Sequence, residues 1–174
     1  MKSVRGNGVS IGSCIGNAFV YQNKVDLNAE SKIVFEEAVQ KLTSKFQLQI
    51  KDFKNNNRNE EAEILDAYIL ILQDPEITGQ ITAENQSSVK EIYNIFESSG
   101  NILASMEDEY FKQRAEDIIS VGKHLVNTMQ EKEIKVELNK NSVLVAEDLT
   151  PADTSSMNMA NVIGIVLRDG GPTS

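Results

Sequence analysis

Cys14 is the only cysteine in the chain, so no disulfide can form within it. His124 is the only histidine, which removes the Cys/His cluster that a structural zinc site needs. A lone thiol suits a reducing cytoplasm. No apolar run approaches the roughly 20 residues that span a bilayer, so no membrane segment is expected. The opening Met1–Arg5 is basic, but the next dozen or so residues are too rich in glycine and too poor in leucine for the apolar core of a signal peptide. Positive charge is also short: 17 Lys and Arg face 26 Asp and Glu, a net charge of −9. The deficit is local, because residues 29–133 hold 11 of those cations but 20 of the acids. A surface of that sign repels phosphate backbones, which argues against nucleic acid as a partner. It suits either a basic protein partner or a plain solvated acidic face.

What the sequence does contain changes character twice. Hydrophobic residues at 40% and charged residues at 25% describe a globular chain of one domain or two small ones. Residues 4–22 mix Val4, Val9, Ile11, Ile15, Phe19, Val20 and Tyr21 with Gly6, Gly8, Gly12 and Gly16, a pattern that predicts two short strands joined by turns. From Ala29 to about Lys54 the apolar spacing becomes three and four: Ile33, Val34, Ala38, Val39, Leu42, Phe46, Ile50 and Phe53 define one face of a long helix. The Asn55-Asn56-Asn57 run ends it, and Asn59 is the expected cap of a second helix whose buried stripe is Ala62, Leu65, Ile69 and Leu72. Asp74-Pro75 stops that helix and can open another. Ser87 or Ser88 starts a further helix through Val89, Ile92, Ile95, Phe96, Ile102 and Leu103, with Gly100 as an expected kink or local break. A last helix is expected from about Met106 to Gln130. Beyond Lys140, Ser142–Ala146 and Asn161–Leu167 read as apolar strands, with Thr150-Pro151 as a helix cap between them. Strand, helix and strand within so few residues predict a parallel pair. The predicted architecture is mixed α and β: an α/β domain built from residues 1–24 and 139–174, with a helical bundle of residues 25–138 inserted between its parts.

The chain ends Gly170-Gly171-Pro172-Thr173-Ser174. A double glycine after a buried strand lets backbone approach a ligand closely, and exposed N–H groups followed by hydroxyls suit a phosphate. In this stretch the sequence resembles the phosphohistidine swivelling domain shared by Enzyme I (phosphoenolpyruvate–protein phosphotransferase) and the pyruvate phosphate dikinases, whose motif is Gly-Gly-x-Thr-Ser-His. Pro172 stands where Enzyme I often has arginine. Leu144–Thr154 is similar to Enzyme I's strand, turn and helix ahead of the active site. Gly6–Tyr21 keeps the Ser10, Gly12, Gly16 and Ala18 of its N-terminal strands, with Ile11 where proline is usual. Asp108–Asp117 is close to the Asp-Glu-Tyr-x-Lys-Glu-Arg-Ala-x-Asp run of its helical domain, which the dikinases lack. The resemblance therefore favours the N-terminal region of Enzyme I from the bacterial sugar phosphotransferase system.

The resemblance implies a phosphotransferase whose catalytic histidine directly follows Ser174, outside this chain. Thr154, Gly170, Gly171, Thr173 and Ser174 form the implied active-site neighbourhood, and Thr154 matches the threonine that bonds the resting histidine. The helical domain implies docking of the histidine phosphocarrier protein HPr on Glu60, Glu63, Asp66, Tyr68, Leu70, Ile71 and Glu76, and on Leu103, Phe111 and Arg114. Residues 58–76 carry six acids and one Arg, in keeping with a basic partner. Leu70 and Ile71 fall off the predicted buried stripe, which marks them as exposed apolar anchors. No cofactor or metal is expected within the chain. The resemblance implies Mg²⁺ on a separate phosphoenolpyruvate-binding barrel, homodimerisation of the full-length enzyme, and a cytoplasmic location. His124, in mid-helix, is expected to be structural, and Cys14 a small core residue. An α/β part lacking strands is expected to expose edges and apolar faces, and so to show strand exchange, dimerisation or a poorly ordered C-terminus. The competing reading is a helical protein-binding module that never carries phosphate.

Overall fold

A computed structural model describes residues 5–132 and 136–168. The chain forms two compact units, one of Asn23–Ile134 and one of Met1–Gln22 with Lys135–Ser174.

The first unit contains α1 (Phe35–Asn55), α2 (Asn59–Leu72), the short α3 (Pro75–Thr78), α4 (Val89–Ala104) and α5 (Glu109–Met129). Its core is filled by the apolar stripes: Leu42, Phe46 and Phe53 of α1, Leu65 and Leu72 of α2, Ile92 and Phe96 of α4, and Val121, Leu125 and Met129 of α5. The Phe46 ring meets the Tyr68 ring edge-on at 5.9 Å and the His124 ring at 6.0 Å, which joins α1, α2 and α5. His124 is buried there, in the core of the bundle.

Side-chain caps set three of the five helix starts. Asp74 accepts from Glu76 N at 2.8 Å ahead of Pro75, Ser88 Oγ accepts from Glu91 N at 3.3 Å, and Asp108 accepts from Tyr110 N at 2.8 Å. Asn57 takes φ 57, a left-handed conformation that asparagine tolerates, as the chain leaves α1.

Four expectations for this unit are corrected. The first helix begins at Phe35 and not near Ala29, because the preceding donors are used elsewhere. Lys32 N and Ile33 N bond Met129 O, and Phe35 N bonds Gln86 O. Asn59 is the first residue of α2 and not its cap; that position is Arg58, whose guanidinium lies 4.4 Å over the Phe53 ring. Gly100 does not kink α4. It is buried in a continuous helix, where a Cβ would come within 2.9 Å of Ala115 O; at Gly122 of α5 a Cβ would lie 2.7 Å from Phe96 Cβ. The two glycines let α4 and α5 approach closely. The last helix starts at Glu109, three residues later than expected.

Among its described residues the second unit holds three parallel strands in the order β1-β2-β3: β1 (Asn17–Val20), β2 (Ser142–Ala146) and β3 (Val162–Leu167). Asn17 pairs with Ser142 through to Val20 with Val145, so the whole helical unit lies in sequence between two neighbouring strands. The one-turn α6 (Pro151–Thr154) and a 3-10 turn at Met159–Asn161 connect β2 to β3. Residues 5–16 form no strand, against expectation: the glycines interrupt the alternation, and backbone pairing with β2 starts only at Asn17. Cys14 is exposed and not in a core, since the segment carrying it is exposed. Residues 136–138, expected with the helices, belong to the sheet unit. Val136 bridges Met157, and Leu138 O accepts from Asn161 Nδ2 at 2.7 Å.

Candidate functional site

The helical unit presents two sets of candidate docking residues, on α2 with α3 and at the α4–α5 corner. On α2, Glu60, Glu63, Asp66 and Leu70 are exposed, as is Glu76 in α3. The electrostatic ties here are loose. Lys54 Nζ lies 3.4 Å from Asp66 Oδ2, and Arg58 Nε bonds Glu61 Oε1 at 2.9 Å. That hydrogen bond holds the Glu61 carboxyl below its usual range.

Helical geometry separates the two expected apolar anchors. Leu70 is 64% exposed, whereas Ile71 is 5% exposed and packs in the bundle with Leu72. Tyr68 is buried as well, against Phe46. Ile71 and Tyr68 are thus placed as core residues, and Leu70 keeps the exposed position. Ile69, expected in the core, is only half-buried. The true inward stripe of α2 is Ala62, Leu65, Tyr68, Ile71 and Leu72, a rotation of the expected one.

At the corner, Leu103, Phe111 and Arg114 are half-buried. Arg114 Nη1 stands 3.5 Å from Asp117 Oδ2. Burial raises the Asp117 carboxyl above its ordinary range, and the Arg114 guanidinium opposes that rise without cancelling it. Sequence reasoning misses three exposed apolar side chains beside these residues: Ile102, 64% exposed, Met106 and Tyr110. Ile102 is expected in the buried stripe and is not there. It lies six residues after Phe96, two-thirds of a turn round the helix, and that angle is the available signal.

The sheet unit gathers polar groups where its parallel strands end, the edge at which open α/β sheets bind ligands. Thr150 caps α6 in a reciprocal box with Asp153: Thr150 N and Oγ1 donate to Asp153 Oδ2 at 3.0 and 2.7 Å, and Asp153 N donates to Thr150 Oγ1 at 3.2 Å. Tyr21, one residue past β1, donates its hydroxyl to Asp153 Oδ1 at 2.7 Å, and both side chains are buried. Burial, then the charge of Asp153, pushes the Tyr21 hydroxyl far above its ordinary range, so it stays protonated and donates. Thr154 closes α6, half-buried, with Oγ1 3.2 Å from Pro151 O and 3.3 Å from Thr150 O. Arg168 Nη1 meets Glu147 Oε1 at 2.7 Å across the ends of β3 and β2. Gly170, Gly171, Thr173 and Ser174 lie outside the described residues. Among the described residues no three His, Cys, Asp or Glu side chains converge as metal ligands, and no helix is long and apolar enough to cross a membrane.

Comparison with known proteins bears on both units. Residues 5–114 match the family described as PEP-utilising enzyme, N-terminal, and residues 138–174 match PEP-utilising enzyme, mobile domain. The phosphoenolpyruvate-protein phosphotransferase of Mycoplasma genitalium is 32% identical over 189 residues, a match covering all of this chain and 33% of the relative. That of Priestia megaterium is 33% identical over 192 residues, covering 99% of this chain and 33% of the relative. The chain therefore spans about a third of the length of these curated relatives. An NMR solution structure of Enzyme I superposes with a TM-score of 0.68 at 28% identity, covering 95% of this chain and 73% of that one. A structure described as the N-terminal domain of Enzyme 1 - Nitrogen, at 20% identity and a TM-score of 0.61, shares the fold.

Proposed function

Because the chain belongs to the PEP-utilising enzymes, as an N-terminal region of Enzyme I, we propose that it is the phosphoryl-relaying part of a phosphoenolpyruvate–protein phosphotransferase. Its helical unit docks the phosphocarrier protein HPr, and its sheet unit leads into the reactive histidine, which directly follows Ser174 outside this chain. A ring nitrogen of that histidine attacks the phosphorus of phosphoenolpyruvate, the bond to the bridging oxygen breaks, and pyruvate leaves as its enolate. The phosphoryl group then passes to the histidine of HPr. In-line transfer needs the reacting atoms within about 3–3.5 Å. One histidine cannot meet donor and acceptor together, so the domain carrying it must move between them. In this reading Mg²⁺ belongs with phosphoenolpyruvate on a separate barrel domain of the full-length enzyme. A cytoplasmic location and a homodimeric full-length enzyme belong to the same reading.

The observation that carries it is Leu70, an apolar side chain exposed among the acids Glu63 and Asp66 of α2. A basic partner with an apolar centre fits that surface: the anchor supplies affinity and the acids supply encounter rate and register. Calorimetric titration of the chain with HPr at two salt concentrations tests it. Binding is expected, weaker at the higher salt as the exposed acids are screened. Leu70→Ala should cost on the order of 2 kcal/mol and Glu63→Ala less than about 1 kcal/mol. Arg114→Lys should weaken binding more than Glu63→Ala, because an ammonium cannot reproduce a planar guanidinium's paired bonds. A folded chain that does not bind HPr, or binds it with an affinity indifferent to all three changes, overturns the reading.

A further inference from the structure

Two short helices in this protein begin with the same device and end up in different surroundings. α3 and α6 are each four residues long, start with proline and carry a capping side chain. In α3 the cap is self-sufficient: Asp74 accepts from Glu76 N in an exposed setting. In α6 the acid is buried, and a tyrosine from 132 residues away in sequence reaches it. Taking a carboxylate out of water is costly unless donors surround it. Capping alone needs no such burial, as α3 demonstrates. A single turn also has almost no stability of its own, since helix nucleation is unfavourable. What burial and the long-range bond add is a defined orientation relative to the sheet.

We propose that Tyr21 is a positioning residue: through Asp153 it clamps the β2–α6 turn onto the end of β1 and so holds the Thr154 hydroxyl in one orientation at the ligand-binding edge of the sheet. The linkage is continuous. Tyr21 N donates to Val145 O at 2.8 Å, which fixes its backbone on β2, while its hydroxyl holds Asp153 Oδ1. The other carboxylate oxygen holds Thr150 through N and Oγ1. Thr150 O in turn accepts from Thr154 N at 3.0 Å, and Thr154 Oγ1 makes only long contacts of its own. The orientation of Thr154 therefore depends on the turn beneath it. That Thr154 meets a phosphoryl-carrying histidine rests on the functional reading above; the clamp itself does not.

The test is NMR on the isotopically labelled 174-residue chain, reading amide exchange at residues 150–155 and the three-bond couplings that report the Thr154 side-chain rotamer. Tyr21→Phe should speed exchange there by about tenfold or more, the factor expected on losing a hydrogen bond to a charged group, and should average the Thr154 couplings. The amides of α1, α2, α4 and α5 should keep wild-type rates. Thr150→Ser should retain wild-type couplings, and Thr150→Val should average them. If Tyr21→Phe leaves exchange and couplings unchanged, the clamp is refuted. If Tyr21→Phe melts the sheet, the Thr150 pair decides: averaging in the valine variant alone supports the proposal, and unchanged couplings in it refute the proposal. The HPr titration reads the helical unit and these couplings read the sheet unit, so failure of either inference leaves the other identifiable.

Discussion

Asp117 shows how one residue's surroundings set its energetics. Burial raises its carboxyl pKa in the folded state, with Arg114 opposing. A folded pKa above the unfolded one means that the folded chain holds its proton more tightly. Ionisation thus costs stability as pH rises through the carboxyl range, and the cost persists at neutral pH. Asp117→Asn removes that cost along with a single i,i+3 ion pair of small value. We expect the variant to melt at a higher temperature than wild type at pH 7. The gain should vanish as pH falls below the carboxyl range, where both chains are neutral at this position. Thermal melts across pH check this, and a variant less stable at pH 7 would show that the ion pair outweighs burial. Tyr21 has the corresponding sign at the other end of the scale. Its stabilising bond is fully present below the ordinary tyrosine range of about 10 and is lost as pH climbs above it.

Neighbouring residues of one element can differ completely in role. Along α2, Leu70 and Ile71 are one residue and 100° apart, and only the second enters the core. Ile71→Ala is expected to destabilise the helical unit by about 2–4 kcal/mol, since it empties buried volume. Leu70→Ala should change stability by no more than about 0.5 kcal/mol while weakening HPr binding. Urea unfolding of the two variants separates the roles, and equal stability losses would contradict them. The seam between α4 and α5 has the opposite constraint, too little room. Gly100 and Gly122 face Ala115 O and Phe96, so added methyl groups there would force the helices apart.

For the whole molecule, the interrupted topology is the main fact. β1 and β2 are adjacent in the sheet but separated in sequence by the helical unit. Within that unit, part-buried polar bonds close the chain on itself near its two ends: Asn127 Nδ2 donates to Asn23 Oδ1 at 2.8 Å, and Gln130 Nε2 donates to Asp26 O at 2.6 Å. Lys32 N and Ile33 N add their bonds to Met129 O. A polypeptide of residues 23–134 alone should therefore fold, give a helical circular dichroism spectrum with one cooperative melt, and bind HPr with the affinity of the whole chain. Non-cooperative melting of that piece would show that it draws stability from the rest.

The sequence by itself determined the features that depend on local forces. Apolar spacing of three to four against alternating or continuous runs distinguished α1, α2, α4 and α5 from β2 and β3. Ser88, Asp74-Pro75 and Thr150-Pro151 marked helix starts, because a cap acts on backbone within three residues of itself. The concentration of acid in residues 29–133 and the family resemblance of the motifs were legible in the same way. Tertiary structure decided what depends on distant partners. α1 starts at Phe35 because the donors before it bond Met129 and Gln86. Tyr68 and Ile71 are buried and Ile69 only half-buried because the neighbouring helices set the final rotation of α2. Residues 5–16, with strand-like composition, lack strand pairing, and β1 forms only alongside β2. The Tyr21–Asp153 bond spans 132 residues of sequence and was invisible for the same reason: spacing along a chain reports which groups share a face, whereas the partner across the gap is chosen only when separate elements pack.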